Sequence, residues 1–296
     1  MRPQDPPRQQ PAPVILYTSF GPGPHVEELI FSASSAQFRC APTDRVRIVI
    51  FTDDPAPFEP VKAECVVIDP ATFDSWIDHR GYIYRLKICA LAEALRRFNA
   101  PVAMVDADTY FLQSPQRLFD RIGPGRTLMH LPEGPIGHLV ALGHERHQLV
   151  THRVPTDNGG LQLHRDWVMW NSGVVGVHPT DLPLVEASLK LNDAIRTTTG
   201  HKNSEQMAFT EIFRNHTALS SSRDIVFHYF LPFLRNPFRK ELHELLAEAA
   251  TLSESEQAPF LYAHRPRPSL KKRLSASIKR PLKRMGYFKS DLNTSV

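Results

Sequence analysis

The sequence predicts an α/β fold built on a mostly parallel sheet flanked by helices, and three observations predict it. Short apolar runs at Val14–Thr18, Arg47–Thr52, Glu64–Ile68 and Val102–Val105 read as strands buried on both faces. Helical periodicity lies between several of them. Each run stops at a turn or carboxylate signal: Ser19-Phe20-Gly21-Pro22-Gly23-Pro24, Asp53-Asp54-Pro55, Asp69-Pro70 and Asp106-Ala107-Asp108. Strands alternating with helices argue for parallel pairing. Polar strand ends then gather at the carboxyl edge, where open α/β sheets bind ligands.

Taken in order, Val14–Thr18 gives a first strand, and Val26–Phe38 carries Leu29, Ile30, Ala33 and Ala36 at mostly helical spacing. Arg47–Thr52 and Glu64–Ile68 are the second and third strands. Tyr84–Phe98 is amphipathic, with Leu86, Ile88, Cys89, Leu91, Ala92 and Leu95 apolar. Its Arg96 and Arg97 fall in the last turn, where they complement the helix dipole. It leads into the central strand Val102–Val105. Beyond that, Ser114-Pro115 opens a short helix to Phe119, Thr127–Leu131 is a strand, and Pro132 to Asp166 is loop-like. Trp167–Val177 is an apolar strand interrupted by Asn171-Ser172-Gly173. Leu182–Arg196, Ser204–Phe213 and Arg239–Ala250 read as helices, and Asp224–Phe230 as a late strand.

Composition is that of a water-soluble globular chain, with 42% hydrophobic and 22% charged residues. No apolar run approaches the roughly 18 residues of a membrane span. The five prolines of the first thirteen residues predict a disordered lead over 1–13, with no apolar stretch fit for a secretory signal. Cys40, Cys65 and Cys89 are expected to be buried, reduced thiols of a cytosolic protein. From His264 onward ten Lys or Arg face one acid, Asp291, so an acidic body over 14–263 carries a basic tail over 264–296.

The chemistry converges on Asp106-Ala107-Asp108. Carboxylates at i and i+2 where a strand ends project to the same side of the chain. Close together they repel, so they are expected to face water and a cation. Oxygen ligands of this kind suit Mn²⁺ or Mg²⁺, with phosphate oxygens completing the shell. Taken alone, Asp-x-Asp is as compatible with a cap or turn.

Four blocks in order, Tyr84-Arg85-Leu86-Lys87, Asp106-Ala107-Asp108, Asn171-Ser172-Gly173-Val174 and His228-Tyr229, resemble the retaining glycosyltransferases of family eight, with Glu205-Gln206 where that family carries Asp-Gln. These include bacterial lipopolysaccharide galactosyl- and glucosyltransferases and glycogenin. The resemblance implies a GT-A fold, Rossmann-like with a mostly parallel central sheet. It also implies a nucleotide-sugar donor, a UDP-hexose, and a glycan or lipid-linked acceptor. Two departures stand out. Glu205 replaces Asp, and His228-Tyr229-Phe230-Leu231-Pro232 lacks the family's closing Gly and Lys-Pro-Trp, the next lysine being Lys240.

By that resemblance Asp106, Asp108 and His228 hold the metal. Arg85 reaches the phosphates or Asp106. Asn171, Ser172 and Gly173 line the sugar, and Glu205 and Gln206 meet it at the reacting carbon. Tyr17, Thr18 and Asp53 lie at strand ends where base and ribose would sit, Tyr17 stacking on the base.

Two stretches fall outside these blocks. The loop from Pro132 to Asp166 contains His138, His144, His147 and His152. Without cysteines or a carboxylate pattern it reads as an acceptor loop rather than a zinc site. In the tail, Leu270, Leu274, Ile278 and Leu282 recur every four residues among lysines and arginines, a basic amphipathic segment expected on an anionic membrane surface rather than on nucleic acid. That places the enzyme in the cytoplasm, against the inner face of the membrane. The alternatives are a nucleotidyltransferase or phosphohydrolase on the same sheet, or a non-catalytic adaptor binding membrane or nucleic acid through the tail.

Overall fold

The computed structural model describes residues 11–77, 81–137, 153–156 and 159–267. The Pro-rich lead up to residue 10, the four loop histidines and the tail from 268 lie outside the described residues.

A seven-stranded sheet organises the fold. Its first strands are β1 (Val14–Ser19), β2 (Arg47–Thr52), β3 (Glu64–Val67) and β4 (Val102–Val105); β6 (Arg126–Pro135), β7 (Val168–Val177) and β8 (Ala218–Ser221) complete it. The order is β3-β2-β1-β4-β7-β6-β8. All neighbours pair in parallel except at β7, which runs against both β4 and β6. A separate ribbon pairs β5 (Thr109–Phe111) with β9 (Val226–His228) in antiparallel fashion, setting Thr109 opposite His228.

Period-two alternation explains the two cores. Leu16, Phe51 and Met104 point to one face, where α2 (Pro70–Trp76), α3 (Arg85–Phe98), α5 (Leu182–Thr199) and α6 (Ser204–His216) cover them. Ile15, Tyr17, Ile50 and Val105 point to the other, under α1 (Pro24–Arg39) and the short α4 (Gln116–Phe119). The β5–β9 ribbon is packed by Phe31 of α1 and by α7 (Pro232–Ala250) and α8 (Glu254–Ala263). Among the described residues no helix is long and apolar enough to cross a membrane. All three cysteines are free; Cys89 is buried, whereas Cys40 and Cys65 are only half-buried, against expectation.

Several boundaries move. The strand expected to stop at Leu131 continues through Pro132 to Pro135, because two irregularities in the β6–β7 ladder absorb a residue with no amide proton. The helix expected from Arg239 begins seven residues earlier at Pro232, with Pro237 inside it. The strand expected over Asp224–Phe230 shrinks to β9 and leaves the main sheet for the ribbon. The short elements β5, β8, α2 and α8 carry too little periodicity to be read from sequence. α8 does begin with a capping box between Ser253 and Glu256.

Candidate metal and donor site

The acid pair sits where three elements meet. β4 ends at Val105, and Asp106 N–H then donates to Gly173 O at 2.9 Å. Since β7 runs against β4, its early residues Asn171-Ser172-Gly173 reach the carboxyl edge of the sheet beside the acids. β9 contributes His228 from the ribbon. One oxygen each of Asp106 and Asp108 and a ring nitrogen of His228 lie within 4.8 Å of one another, a group able to hold a metal ion.

The acids differ in setting. Asp106 is half-buried, and its Oδ1 receives Lys87 Nζ at 2.7 Å. Asp108 is 5% exposed, so the expectation that both face water holds for neither fully and fails for Asp108. Its Oδ2 takes Arg235 Nη1 at 2.7 Å and its Oδ1 lies 3.2 Å from His228 Nε2. Burial alone would raise the Asp108 carboxyl, but His228 and Arg235 outweigh it and hold it below the ordinary carboxylate range. Each acid thus has a cationic side chain of its own, and mutual repulsion does not itself call for an ion.

The stronger argument for a cation lies in the histidine. Asn171 Oδ1 accepts the Gly173 N–H at 2.9 Å, which identifies it as the oxygen end of the amide. It stands 2.9 Å from His228 Nδ1, so that nitrogen is the N–H donor. His228 Nε2 is then turned toward two acceptors, Asp108 Oδ1 and, at 3.9 Å, Asp106 Oδ2. Nε2 hydrogen-bonds Asp108 Oδ1 at 3.2 Å; a cation seated between the two carboxylates would take the place of that contact, and cis ligands of such an ion stand about 3 Å apart. Gly173 makes room for the ring, because a Cβ there would fall 2.1 Å from His228 Nδ1.

Lys87 fills the centre of the neighbouring wall. Its buried ammonium also meets Ser172 O at 3.0 Å and Glu205 Oε1 at 3.4 Å. Burial alone would depress it, but Asp106 and Glu205 together hold it above the ordinary lysine value. Burial pushes Glu205 up, an effect that Lys87 and Ser172 partly offset. Tyr82 secures the start of α6, its hydroxyl accepting from Ser204 Oγ at 3.0 Å and Glu205 N–H at 3.3 Å. Beside them, Glu133 receives Asn171 Nδ2 on Oε1 at 2.9 Å and Gln206 Nε2 on Oε2 at 3.0 Å.

No protein-family model matches the chain, and no curated protein matches it in sequence. The apo form of mouse xyloside xylosyltransferase 1 is similar, at 16% identity and a TM-score of 0.47, covering 71% of this chain and 85% of that one.

Asp106, Asp108, Asn171, Ser172, Gly173, Glu205, Gln206 and His228 gather around one spot. Two expected residues do not. Arg85 Nε binds Asp193 at 2.9 Å and Nη1 binds Ser75 O at 2.9 Å, capping the end of α2; the cation on Asp106 is Lys87. Tyr17 is fully buried under α1 with its hydroxyl 2.9 Å from Ser32 Oγ, because alternation along β1 turns it inward, so it cannot stack on a base. Thr18 is half-buried, and exposed Asp53 accepts the Gly21 N–H, bracing the β1–α1 turn at the same edge.

Lys87, Glu133 and Arg235 were missed. Lys87 had a sequence signal: it precedes Leu91 and Leu95 by four and eight residues, which places it on the core stripe of α3. Glu133 lies in the stretch from Pro132 that the sequence predicts as loop, and Arg235 lies before the helix expected from Arg239.

Proposed function

We propose that this chain is a metal-dependent glycosyltransferase that moves a sugar, a hexose of a UDP-sugar by the resemblance, to a glycan or lipid-linked acceptor. The observation that carries it is the convergence of Asp106, Asp108 and the Nε2 of His228 at the carboxyl edge of the sheet. Those three would hold the ion, and the imidazole tilts the set from Mg²⁺ toward a first-row ion, Mn²⁺ among them. When bound, such an ion neutralises the charge that grows on a departing nucleoside diphosphate.

The chain's own residues do the rest. Lys87 holds Asp106 and Glu205 at fixed spacing. Gln206 and Glu133 offer amide and carboxylate groups to sugar hydroxyls, and β6–β7 lead straight to the segment read as the acceptor loop. Retention of configuration at the transferred carbon follows from the resemblance and belongs to the same proposal. So does docking of the basic tail on an anionic membrane from the cytoplasmic side, worth about 1 kcal/mol per basic residue near the surface. Removing residues 268–296 is expected to abolish binding to anionic vesicles and to leave donor hydrolysis unchanged.

The deciding experiment is a panel of nucleotide sugars with Mn²⁺, read as release of nucleoside diphosphate. Release that EDTA stops and Asp106→Ala abolishes is expected. The satisfied ion pairs on both acids favour one rival, a non-catalytic body. Nucleotide binding indifferent to Mn²⁺ and to Asp106→Ala would establish that rival instead.

A further inference from the structure

One residue of β6 is surplus to its ladder. Pro132 pairs with Trp170 and Gly134 with Met169, so Glu133 between them has no counterpart on β7. Gly134 takes a φ of 102°, a conformation that favours glycine. A bulge re-aims a side chain, and that of Glu133 reaches both β7 and α6. Its Oε1 accepts from Asn171 Nδ2 at 2.9 Å and its Oε2 from Gln206 Nε2 at 3.0 Å. We propose that Glu133 is a positioning residue that sets which end of the Gln206 amide meets the sugar, presenting the carbonyl oxygen to a hydroxyl that donates. The inference rests on the transferase reading above and names a feature of the sugar that its site selects.

A carboxylate only accepts, so both amides turn their NH₂ groups toward Glu133. The two are not equally free. Asn171 is also fixed at its oxygen, by the Gly173 N–H. Gln206 has no second hold: among the described residues its side chain bonds Glu133 alone, and its Oε1 is not enclosed. It follows Glu205, whose carboxylate meets Lys87 beside Asp106. The free oxygen therefore belongs to the wall of the candidate site, and it can take a sugar O–H but not an ether or acyl oxygen. A site built on such a bond discriminates strongly against an analogue without the hydroxyl.

Reversing the bond tests this. In Glu133→Gln the carboxamide accepts from one amide and presents a donor to the other. Since Asn171 is held, Gln206 is the one to turn, and its NH₂ then meets the sugar. Gln206→Glu sets two carboxylates against each other. The double variant, Glu133→Gln with Gln206→Glu, exchanges donor and acceptor and again leaves an oxygen for the hydroxyl. With UDP-glucose or UDP-galactose and Mn²⁺, each single variant is expected to lose roughly tenfold in kcat/KM at unchanged affinity for UDP. The double variant is expected to recover most of that loss. A merely structural role for Glu133 would leave the double variant at least as poor as either single one. That result, or Glu133→Gln at the wild-type kcat/KM, would overturn the inference and leave the transferase reading intact. If wild type binds these UDP-sugars but turns over neither, the transferase reading fails, and affinity for the UDP-sugar relative to UDP decides instead. Loss of that preference in each single variant with recovery in the double supports the inference, and any other pattern ends it. A chain that binds neither UDP-sugar ends both.

Discussion

At the scale of single residues, the two acids of the pair have unequal work in the folded chain. Asp108 is nearly enclosed and compensates Arg235, whose side chain is only 26% exposed. Asp108→Ala removes one of the two carboxylates on that guanidinium, Glu28 keeping the other in two bonds, and also removes the partner of His228 Nε2, so it is expected to cost about 1–3 kcal/mol in urea unfolding. Asp106→Ala leaves Lys87 with Glu205 and the Ser172 carbonyl, and Asp106 is the more exposed acid, so its loss should be smaller. Both variants are expected to lose metal-dependent turnover. Gly173 yields a sharper expectation. An alanine methyl at 2.1 Å from the His228 ring displaces either β7 or the imidazole, so Gly173→Ala should weaken Mn²⁺ binding more than it lowers the unfolding midpoint.

At the scale of elements, α1 is tied to the acid turn by a buried polar chain. Tyr17 Oη lies 2.9 Å from Ser32 Oγ, which lies 2.7 Å from Thr109 Oγ1, which donates to the Asp106 carbonyl at 2.8 Å. Ser32→Ala leaves the Tyr17 hydroxyl buried without that bond and is expected to cost about 1–3 kcal/mol. Adding Tyr17→Phe should recover part of the loss, because removing both partners costs less than orphaning one. A second tie joins α1 to α7, where Glu28, wholly buried, takes Arg235 in two bonds and Arg239 in a third.

These ties show which parts of the site were legible in sequence. Strands buried on both faces betray themselves by unbroken apolar runs, so β1, β2 and β4 and the acids at the end of β4 could be read directly. Asn171-Ser172-Gly173 and His228 were visible as polar breaks in apolar surroundings. The supporting ring was not. Glu133 sits just past Pro132 and Arg235 just before Pro237, prolines that a local rule takes as breaks, and only the neighbouring strands and helices absorb them. Tyr17 shows the converse error: proximity to a strand end says nothing about which face a side chain takes, and period two turned it into the core.

For the whole molecule, the described body reaches past α8. Tyr110 Oη donates to Pro266 O at 3.1 Å, and the Arg265 guanidinium lies 4.2 Å from the centre of the Tyr262 ring. A chain ending at Ala263 therefore uncovers Tyr110 and should melt lower in a calorimetric scan than one ending at Arg267. The long excursion between β6 and β7 leaves and returns at one place: Pro135 pairs with Val168, Ile136 N–H donates to Trp167 O at 2.8 Å, and Gly137 N–H to Arg165 O at 2.7 Å. Closure of that excursion is settled by the ladder at its root, so doubling the length inside it adds only about 0.6 kcal/mol of chain entropy. The root lies a few residues from Glu133 and Asn171. New sequence can thus enter or leave beyond this root while the strands that carry Glu133 and Asn171 stay in register, so variation in length there is uncoupled from the geometry of the candidate site.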